Sequence, residues 1–207
     1  MLKIKICGIT NLEDAENAAA LGVDALGFIF AKSPRQVEPT LIKEICHSLP
    51  PFITRVGVFV DEELDKVNSI AETCGLDAIQ LHGQESSEYC QHVHRRVIKA
   101  LRVKKDTSLK ILEHYKDIVC AFLLDAYDPE KPGGTGNTFD WGLAAKAQKA
   151  YKTPIILSGG LNAENIQEAL KTLRPDAVDI NSGVESAPGK KDYNKMQEII
   201  KIIRNLK

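Results

Sequence analysis

Short apolar, β-branched runs alternate with longer amphipathic stretches along the whole chain. Short apolar runs predict buried strands, whereas apolar positions that recur every three or four residues predict helices. The predicted strands are 2–7, 25–30, 54–60, 78–82, 97–101, 120–125, 154–158 and 177–181. The predicted helices are 11–21, 39–48, 62–74, 86–94, 107–116, 140–150, 162–172 and 192–206. The first helix carries the pattern of a capping box, with Thr10 as N-cap, Glu13 three residues later and Gly22 as a stop signal.

Eight strands in strict alternation with eight helices predict an α/β fold with a parallel sheet. Eight such units favour a closed (β/α)8 TIM barrel that forms a single domain over residues 1–207. The length of 207 residues lies near the lower limit of about 200 residues for that fold. The alternative is an open, doubly wound sheet. No glycine-rich turn of the dinucleotide-binding type follows the first strand, and no shift in composition marks a second domain.

Charge and cysteine usage narrow the classes of function. The formal net charge is −1, so no global field would recruit nucleic acid or an anionic membrane, and we expect neither as a partner. No apolar run is long enough for a transmembrane helix, and Met1 leads directly into a strand pattern with no secretory signal before it. The five cysteines are widely spaced and form no CxxC pair. This pattern argues against disulfides or structural zinc and predicts a cytoplasmic protein.

Polar residues fall late in several predicted strands. They are Lys5, Cys7, Gln80, His82, Asp125, Asp179 and Asn181. Chemistry in a barrel takes place at the C-terminal ends of the strands, and residues two apart share a face, so we expect one polar rim. Taken singly, each residue also has a structural interpretation. A free cysteine is commonly a small buried hydrophobe, a histidine can be simply hydrogen bonded, and an aspartate can cap a turn or hold a loop.

Glycine-containing turns follow the last two predicted strands, SGGLN at 158–162 and NSGVES at 181–186. Glycine lets the backbone approach an anion closely, and backbone N–H groups then bind it. The loops after strands seven and eight hold phosphate in many barrels, so the ligand should be a phosphorylated small molecule. Two tight turns without a ligand are the alternative. The residues of the predicted phosphate site are Gly159, Gly160, Ser182 and Gly183.

Two loops complete the predicted site. Arg35 lies beside Pro34 in the loop after the second strand, where its guanidinium would hold a carboxylate bidentately, unless it is a solvated surface arginine. The GGTG cluster at 133–136 follows the sixth strand and is typical of a mobile lid or a ligand-contacting loop.

Taken together, these motifs resemble the phosphoribosylanthranilate isomerase family of tryptophan biosynthesis. The resemblance runs from residue 3 to about residue 190. It differs at Asn137, which follows GGTG where the family often has lysine. The motifs that carry it are KICGIT, GFIFAKSPRQV, QLHG, LLDA, PGGTGNTFDW, LSGGL and VDINSGVES.

The resemblance implies an Amadori rearrangement by general acid–base catalysis, with neither cofactor nor metal. N-(5-phosphoribosyl)anthranilate would become 1-(2-carboxyphenylamino)-1-deoxyribulose 5-phosphate. The resemblance assigns the base to Cys7, the acid to Asp125 and the anthranilate carboxylate to Arg35. It assigns the phosphate to the two glycine turns. Gln80, His82 and Asp179 would line the sugar.

The proposed base needs a thiolate, although a free cysteine has a pKa near 8.5. We expect the nearby start of the first helix, and Lys5 on the same face of the strand, to lower the pKa of Cys7. Asp125 must instead keep its proton until it is needed. The alternatives are another phosphate-binding barrel of the indole pathway and a barrel that binds a sugar phosphate without catalysis. The sequence leaves monomer and homodimer open.

Overall fold

Eight parallel strands close into a barrel in chain order. The computed structural model describes residues 1–103, 107–125 and 141–206. The barrel strands are β1 (Lys3–Cys7), β2 (Ala25–Ile29), β3 (Thr54–Phe59), β4 (Ala78–Leu81), β5 (Arg96–Arg102), β6 (Ala121–Asp125), β7 (Ile155–Ser158) and β8 (Ala177–Ile180). The last strand pairs with the first, so the closed barrel is confirmed and the open sheet is excluded.

Helices cover the outside of the barrel. They are α1 (Leu12–Ala20), α2 (Pro39–Ser48), α3 (Leu64–Thr73), α4 (Ser87–Gln91), α5 (Trp141–Ala150), α6 (Ile166–Thr172) and α7 (Tyr193–Asn205). The helix predicted at 107–116 is instead a 3-10 helix, Leu109–His114. Leu109, Leu112 and Tyr115 are spaced by three residues and pack on the core, which matches the three residues per turn of a 3-10 helix. No helix in the described ranges is both long and apolar enough to cross a membrane.

The start of α1 differs from the predicted capping box. Its N-cap is Asn11, whose side chain accepts a hydrogen bond from the Asp14 backbone N–H and donates one to the Asp14 carboxylate. The Thr10 hydroxyl donates instead to the Gly189 carbonyl oxygen. The prediction of Thr10 and Glu13 as the capping pair is therefore wrong, because the Asn11–Asp14 pair already satisfies the helix end. Gly22 follows the helix with φ of 79°, as its role as a stop signal requires.

A short hairpin after β8 was not predicted. A 3-10 turn, Ser182–Val184, leads into β9 (Glu185–Ala187), which pairs antiparallel with β10 (Lys190–Lys191). Gly189 makes the turn with φ of 81°, a conformation that glycine adopts without a steric cost. The Thr10 hydrogen bond ties this turn to the loop after β1.

The barrel interior changes from apolar to polar towards the C-terminal ends of the strands. The main core lies between strands and helices. A smaller interior cluster consists of Val56, Ala78, Ile98, Ala100, Ala121, Leu123 and Ile156. Residues two positions further along a strand share the same face, as in Ala78 to Gln80 and Leu123 to Asp125. The polar residues therefore form a layer on top of the apolar interior.

Candidate active site

A buried ion pair lies in this polar layer. Lys5 on β1 is in register with Asp179 on β8, and its Nζ lies 2.9 Å from Asp179 Oδ1. The two side chains are only 4% and 5% exposed. Lys5 Nζ also donates to Gln80 Oε1 at 2.8 Å. Burial alone would lower the pKa of Lys5, but the interactions of Lys5 with Asp179 and Cys7 outweigh burial and raise that pKa, so Lys5 is a cation.

Cys7 ends β1 and faces Gly27 of β2. A Cβ added at Gly27 would lie 2.6 Å from Cys7 Sγ and 3.0 Å from Lys5 Cε, so the missing side chain makes room for both. Burial raises the pKa of the Cys7 thiol; Lys5 opposes the rise and Asp179 adds to it. The expected lowering of this pKa is therefore wrong in this structure. The helix α1 begins only at Leu12, and the loss of water around the thiol outweighs the charge of Lys5.

His82 and Asp125 meet on the same rim. His82 follows β4, and its Nε2 lies 3.2 Å from Asp125 Oδ2 at the end of β6. The other ring nitrogen, Nδ1, lies 3.3 Å from Gln80 Nε2. His82 and Asp125 are 17% and 15% exposed at their side chains, so each is packed but reachable from solvent. Gln80 thus connects the buried ion pair to the residue predicted to be the acid.

Arg35 makes a two-point contact with a residue that the sequence analysis missed. Its Nε donates to Glu185 Oε1 at 2.8 Å and its Nη2 to Glu185 Oε2 at 2.6 Å. Lys191 Nζ donates to Glu185 Oε1 at 3.0 Å and to Asn181 Oδ1 at 2.9 Å. Burial would raise the pKa of Glu185, but Arg35 and Lys191 outweigh it and hold that pKa below its usual value. Pro188 and Gly189, a turn-forming pair, were the available signal for this hairpin.

The loop after β1 lets Arg35 approach the site closely. Gly8 has φ of 72°, in the left-handed region that favours glycine. A Cβ at Gly8 would lie 2.6 Å from Asn181 Oδ1 and 2.8 Å from Arg35 Cδ. A larger residue at this position would therefore displace Arg35 or Asn181. This close approach explains the glycine in the KICGIT motif.

The two glycine turns of the predicted phosphate site are in contact. Gly159 and Gly160 follow β7 with φ of 102° and 63°. A Cβ at Gly183 would collide with the Leu161 carbonyl oxygen, so the turns after β7 and β8 pack together only because residue 183 is glycine. A Cβ at Gly160 would meet no atom of the described residues within 4 Å. The outer side of this turn is thus open enough for an anion to reach the backbone.

The GGTG loop at 133–136 and Asn137 lie outside the described residues. Among the residues that the structure describes, no group of three or more His, Cys, Asp or Glu side chains is arranged to hold a metal ion. All five cysteines are free. The structure brings Cys7, Gln80, His82, Asp125 and Asp179 to one end of the barrel, together with Lys5.

Comparison with known proteins shows which family and which solved structures this chain is similar to. The family model for N-(5'phosphoribosyl)anthranilate (PRA) isomerase matches residues 4–202. The N-(5'-phosphoribosyl)anthranilate isomerase of Geotalea uraniireducens is 54% identical over 207 residues, covering 100% of both chains. The crystal structure of phosphoribosyl anthranilate isomerase from Thermotoga maritima superposes with a TM-score of 0.92 at 44% identity, covering 100% of both chains. A phosphoribosyl anthranilate isomerase in complex with reduced 1-(o-carboxyphenylamino)-1-deoxyribulose 5-phosphate has a TM-score of 0.88 at 41% identity, again covering 100% of both chains.

Proposed function

The chain belongs to the N-(5'-phosphoribosyl)anthranilate isomerase family and isomerises N-(5'-phosphoribosyl)anthranilate in tryptophan biosynthesis, and we propose that Cys7 and Asp125 are its base and its acid. The product is 1-(2-carboxyphenylamino)-1-deoxyribulose 5-phosphate. The observation that carries the proposal is the polar layer, which puts a thiol and a carboxyl group on one rim beside the paired glycine turns. Acid and base on one rim suit a reaction that moves protons within one sugar.

The first step needs an acid. Asp125 donates its proton to the furanose ring oxygen, the bond from C1 to that oxygen breaks, and an iminium forms between C1 and the anthranilate nitrogen. Asp125 ends β6 and is 15% exposed at its side chain, so it can reach a ligand above the barrel while remaining packed. His82, whose Nε2 is 3.2 Å from Oδ2, supports the carboxylate that this step leaves behind.

The second step needs a base. The Cys7 thiolate removes the proton from C2, and the electron pair of that bond neutralises the iminium to give an enolamine. The enolamine then tautomerises to the ketone, so the step involves no net oxidation. Burial raises the pKa of the thiol, so the thiolate needs a further stabilising charge. The iminium formed in the first step supplies one next to it, because an opposite charge favours the ionised form.

The rest of the site binds the two ends of the substrate. Arg35 binds the anthranilate carboxylate through its guanidinium group, which the contact with Glu185 holds in place. Backbone N–H groups at the two turns bind the phosphate, as their close packing and the open side of Gly160 support. His82 faces the sugar. Gln80 and Asp179 lie beneath it, where both accept hydrogen bonds from Lys5. The group consists of Arg35, Gln80, His82, Asp179, Gly159, Gly160, Ser182 and Gly183.

Steady-state kinetics test the two assignments. Cys7→Ala and Asp125→Asn should each lower kcat by roughly 10²–10⁴-fold, the usual contribution of one acid or base. Binding of the reduced product, measured by calorimetry, should survive in both variants. Cys120→Ala is the matched control, because that free cysteine precedes β6 at the end opposite Asp125, and its replacement should leave kcat unchanged. Near-normal turnover in either active-site variant would remove that residue from its role.

Three further properties belong to the same proposal. We expect the 207 residues to act as one catalytic domain, without a cofactor. The free cysteines suit a reducing compartment, and we place the enzyme in the cytoplasm. Its assembly is a monomer or a homodimer, which light scattering on the purified protein distinguishes by mass.

A further inference from the structure

A continuous series of side-chain hydrogen bonds joins the buried ion pair to Asp125. Lys5 Nζ contacts Gln80 Oε1 at 2.8 Å. Gln80 Nε2 contacts His82 Nδ1 at 3.3 Å, and His82 Nε2 contacts Asp125 Oδ2 at 3.2 Å. Gln80 is 1% exposed, so water does not compete for its amide. Each group in this series has a limited set of donors and acceptors, and their order therefore fixes where the protons lie.

Lys5 determines which group donates and which accepts at each hydrogen bond of the series. An ammonium group has donors and no acceptor, so the Gln80 atom that faces it is the carbonyl oxygen. The amide NH₂ of Gln80 then points at His82 and must donate to Nδ1. A ring nitrogen that accepts a hydrogen bond carries no hydrogen, so the neutral imidazole has its hydrogen on Nε2. That hydrogen is donated to Asp125 Oδ2.

We propose that Gln80 is a positioning residue for the acid step, because it selects the Nε2–H tautomer of His82 and thereby orients the Asp125 carboxyl group. This inference rests on the proposed role of Asp125 as the acid. With Oδ2 accepting from His82, the transferable proton is carried by Oδ1. In the other tautomer the unprotonated Nε2 would accept the carboxyl proton from Oδ2, so that proton would point at His82 and away from the ligand. Gln80 thus acts on the acid step through His82.

The tautomer can be read directly by NMR of the nitrogen-15-labelled protein. In the neutral form of the imidazole, we expect His82 to carry hydrogen on Nε2 only. His92 is a built-in comparison, because its Nδ1 lies 2.8 Å from the Glu88 carbonyl oxygen and must donate. A His82 with hydrogen on Nδ1 in the wild-type protein would overturn the proposal.

Two substitutions change the signal in a predictable way. In Gln80→Glu the carboxylate keeps the contact with Lys5 but has no donor, so His82 Nδ1 should become protonated. In Gln80→Met the selection is lost, and His82 should populate both tautomers. The His92 signals should stay unchanged in both. The glutamate side chain has nearly the same shape as glutamine, so Gln80→Glu still tests the proposal if Gln80→Met does not fold. An unchanged His82 tautomer in the glutamate variant would refute the role of Gln80.

Steady-state kinetics distinguish a positioning role of Gln80 from a role in substrate binding. We expect Gln80→Met to lower kcat by roughly 10- to 100-fold, the size typical of a misplaced reacting group, with little change in KM. In the Asp125→Asn background the same substitution should cost less than about twofold, because its effect passes through Asp125. If Gln80→Met lowers kcat by the same factor with Asp125 and with Asn at position 125, the positioning role of Gln80 is refuted. Near-normal activity of Asp125→Asn alone would instead refute the acid assignment, and the NMR result on His82 would still stand.

Discussion

Replacing Lys5 by methionine removes the cation at the centre of the polar layer. Lys5 Nζ lies 2.9 Å from Asp179 Oδ1, and both side chains are at least 95% buried. Without Lys5 the Asp179 charge has lost its partner, a change that typically costs about 3–5 kcal/mol of folding free energy. Gln80 Oε1 also loses its donor, which adds about 1–3 kcal/mol. We expect Lys5→Met to destabilise the protein by about 4–8 kcal/mol, against the 5–15 kcal/mol typical of a whole domain.

A double-mutant cycle measures how much of this cost is electrostatic. In the Asp179→Asn background no carboxylate remains to be stranded, so Lys5→Met should cost only the hydrogen bonds, about 1–3 kcal/mol. The coupling free energy between Lys5 and Asp179 is therefore expected to be about 3–5 kcal/mol, the cost of the stranded charge. Urea unfolding at pH 7, followed by far-UV circular dichroism, gives the free energies of unfolding for all four proteins.

Lys3→Met is the matched control on the same strand. Lys3 Nζ lies 2.6 Å from Asp24 Oδ1, but the Lys3 side chain is 66% exposed. Exposed pairs contribute about 0–1 kcal/mol, so this variant should unfold almost as the wild type does. The reasoning is refuted if Lys5→Met costs the same free energy with Asp179 and with Asn at that position. It is also refuted if Lys3→Met destabilises as much as Lys5→Met does.

Three further predictions concern the site. Arg35→Met should raise KM more than Arg35→Lys, because lysine keeps the charge but not the planar fork; an unchanged KM in Arg35→Met would exclude the carboxylate contact. Cys7, with the other cysteines replaced, should form its thiolate above the reference pKa of about 8.5 when followed by ultraviolet absorbance, since burial raises its pKa; a midpoint below 8.5 would contradict this. The pKa of Glu185 is lowered, so its contribution to stability is present above its unfolded pKa of about 4.3 and is lost as the pH falls through the folded value. Glu185→Gln should thus be less stable than the wild type at pH 7 in urea unfolding, with the gap closing towards pH 3, and a constant gap would refute the charge argument.

Local sequence patterns were enough to predict the barrel and the location of its polar layer. Strand and helix periods are local properties, and eight repeats of one unit leave few ways to bury them all. Cys7 lies two residues beyond Lys5, so the alternation of side chains along a strand predicts that both lie on the same face. Parallel strands bring their C-terminal ends to one end of the barrel. The same logic located the glycine turns after β7 and β8, which the structure then brings into contact.

The pairing of the polar groups and the extent of their desolvation depend on contacts between residues far apart in the chain. Lys5 meets Asp179 across 174 positions and Arg35 meets Glu185 across 150 positions, because the closure of the barrel brings distant strands and loops together. The pKa of Cys7 depends on burial by the surrounding strands, so a reading of its sequence neighbours predicted the wrong direction. The partner of the Thr10 side chain was also unpredictable from its sequence neighbours. Thr10 binds the Gly189 carbonyl in a hairpin that lies 179 positions away, and that contact exists only in the folded chain.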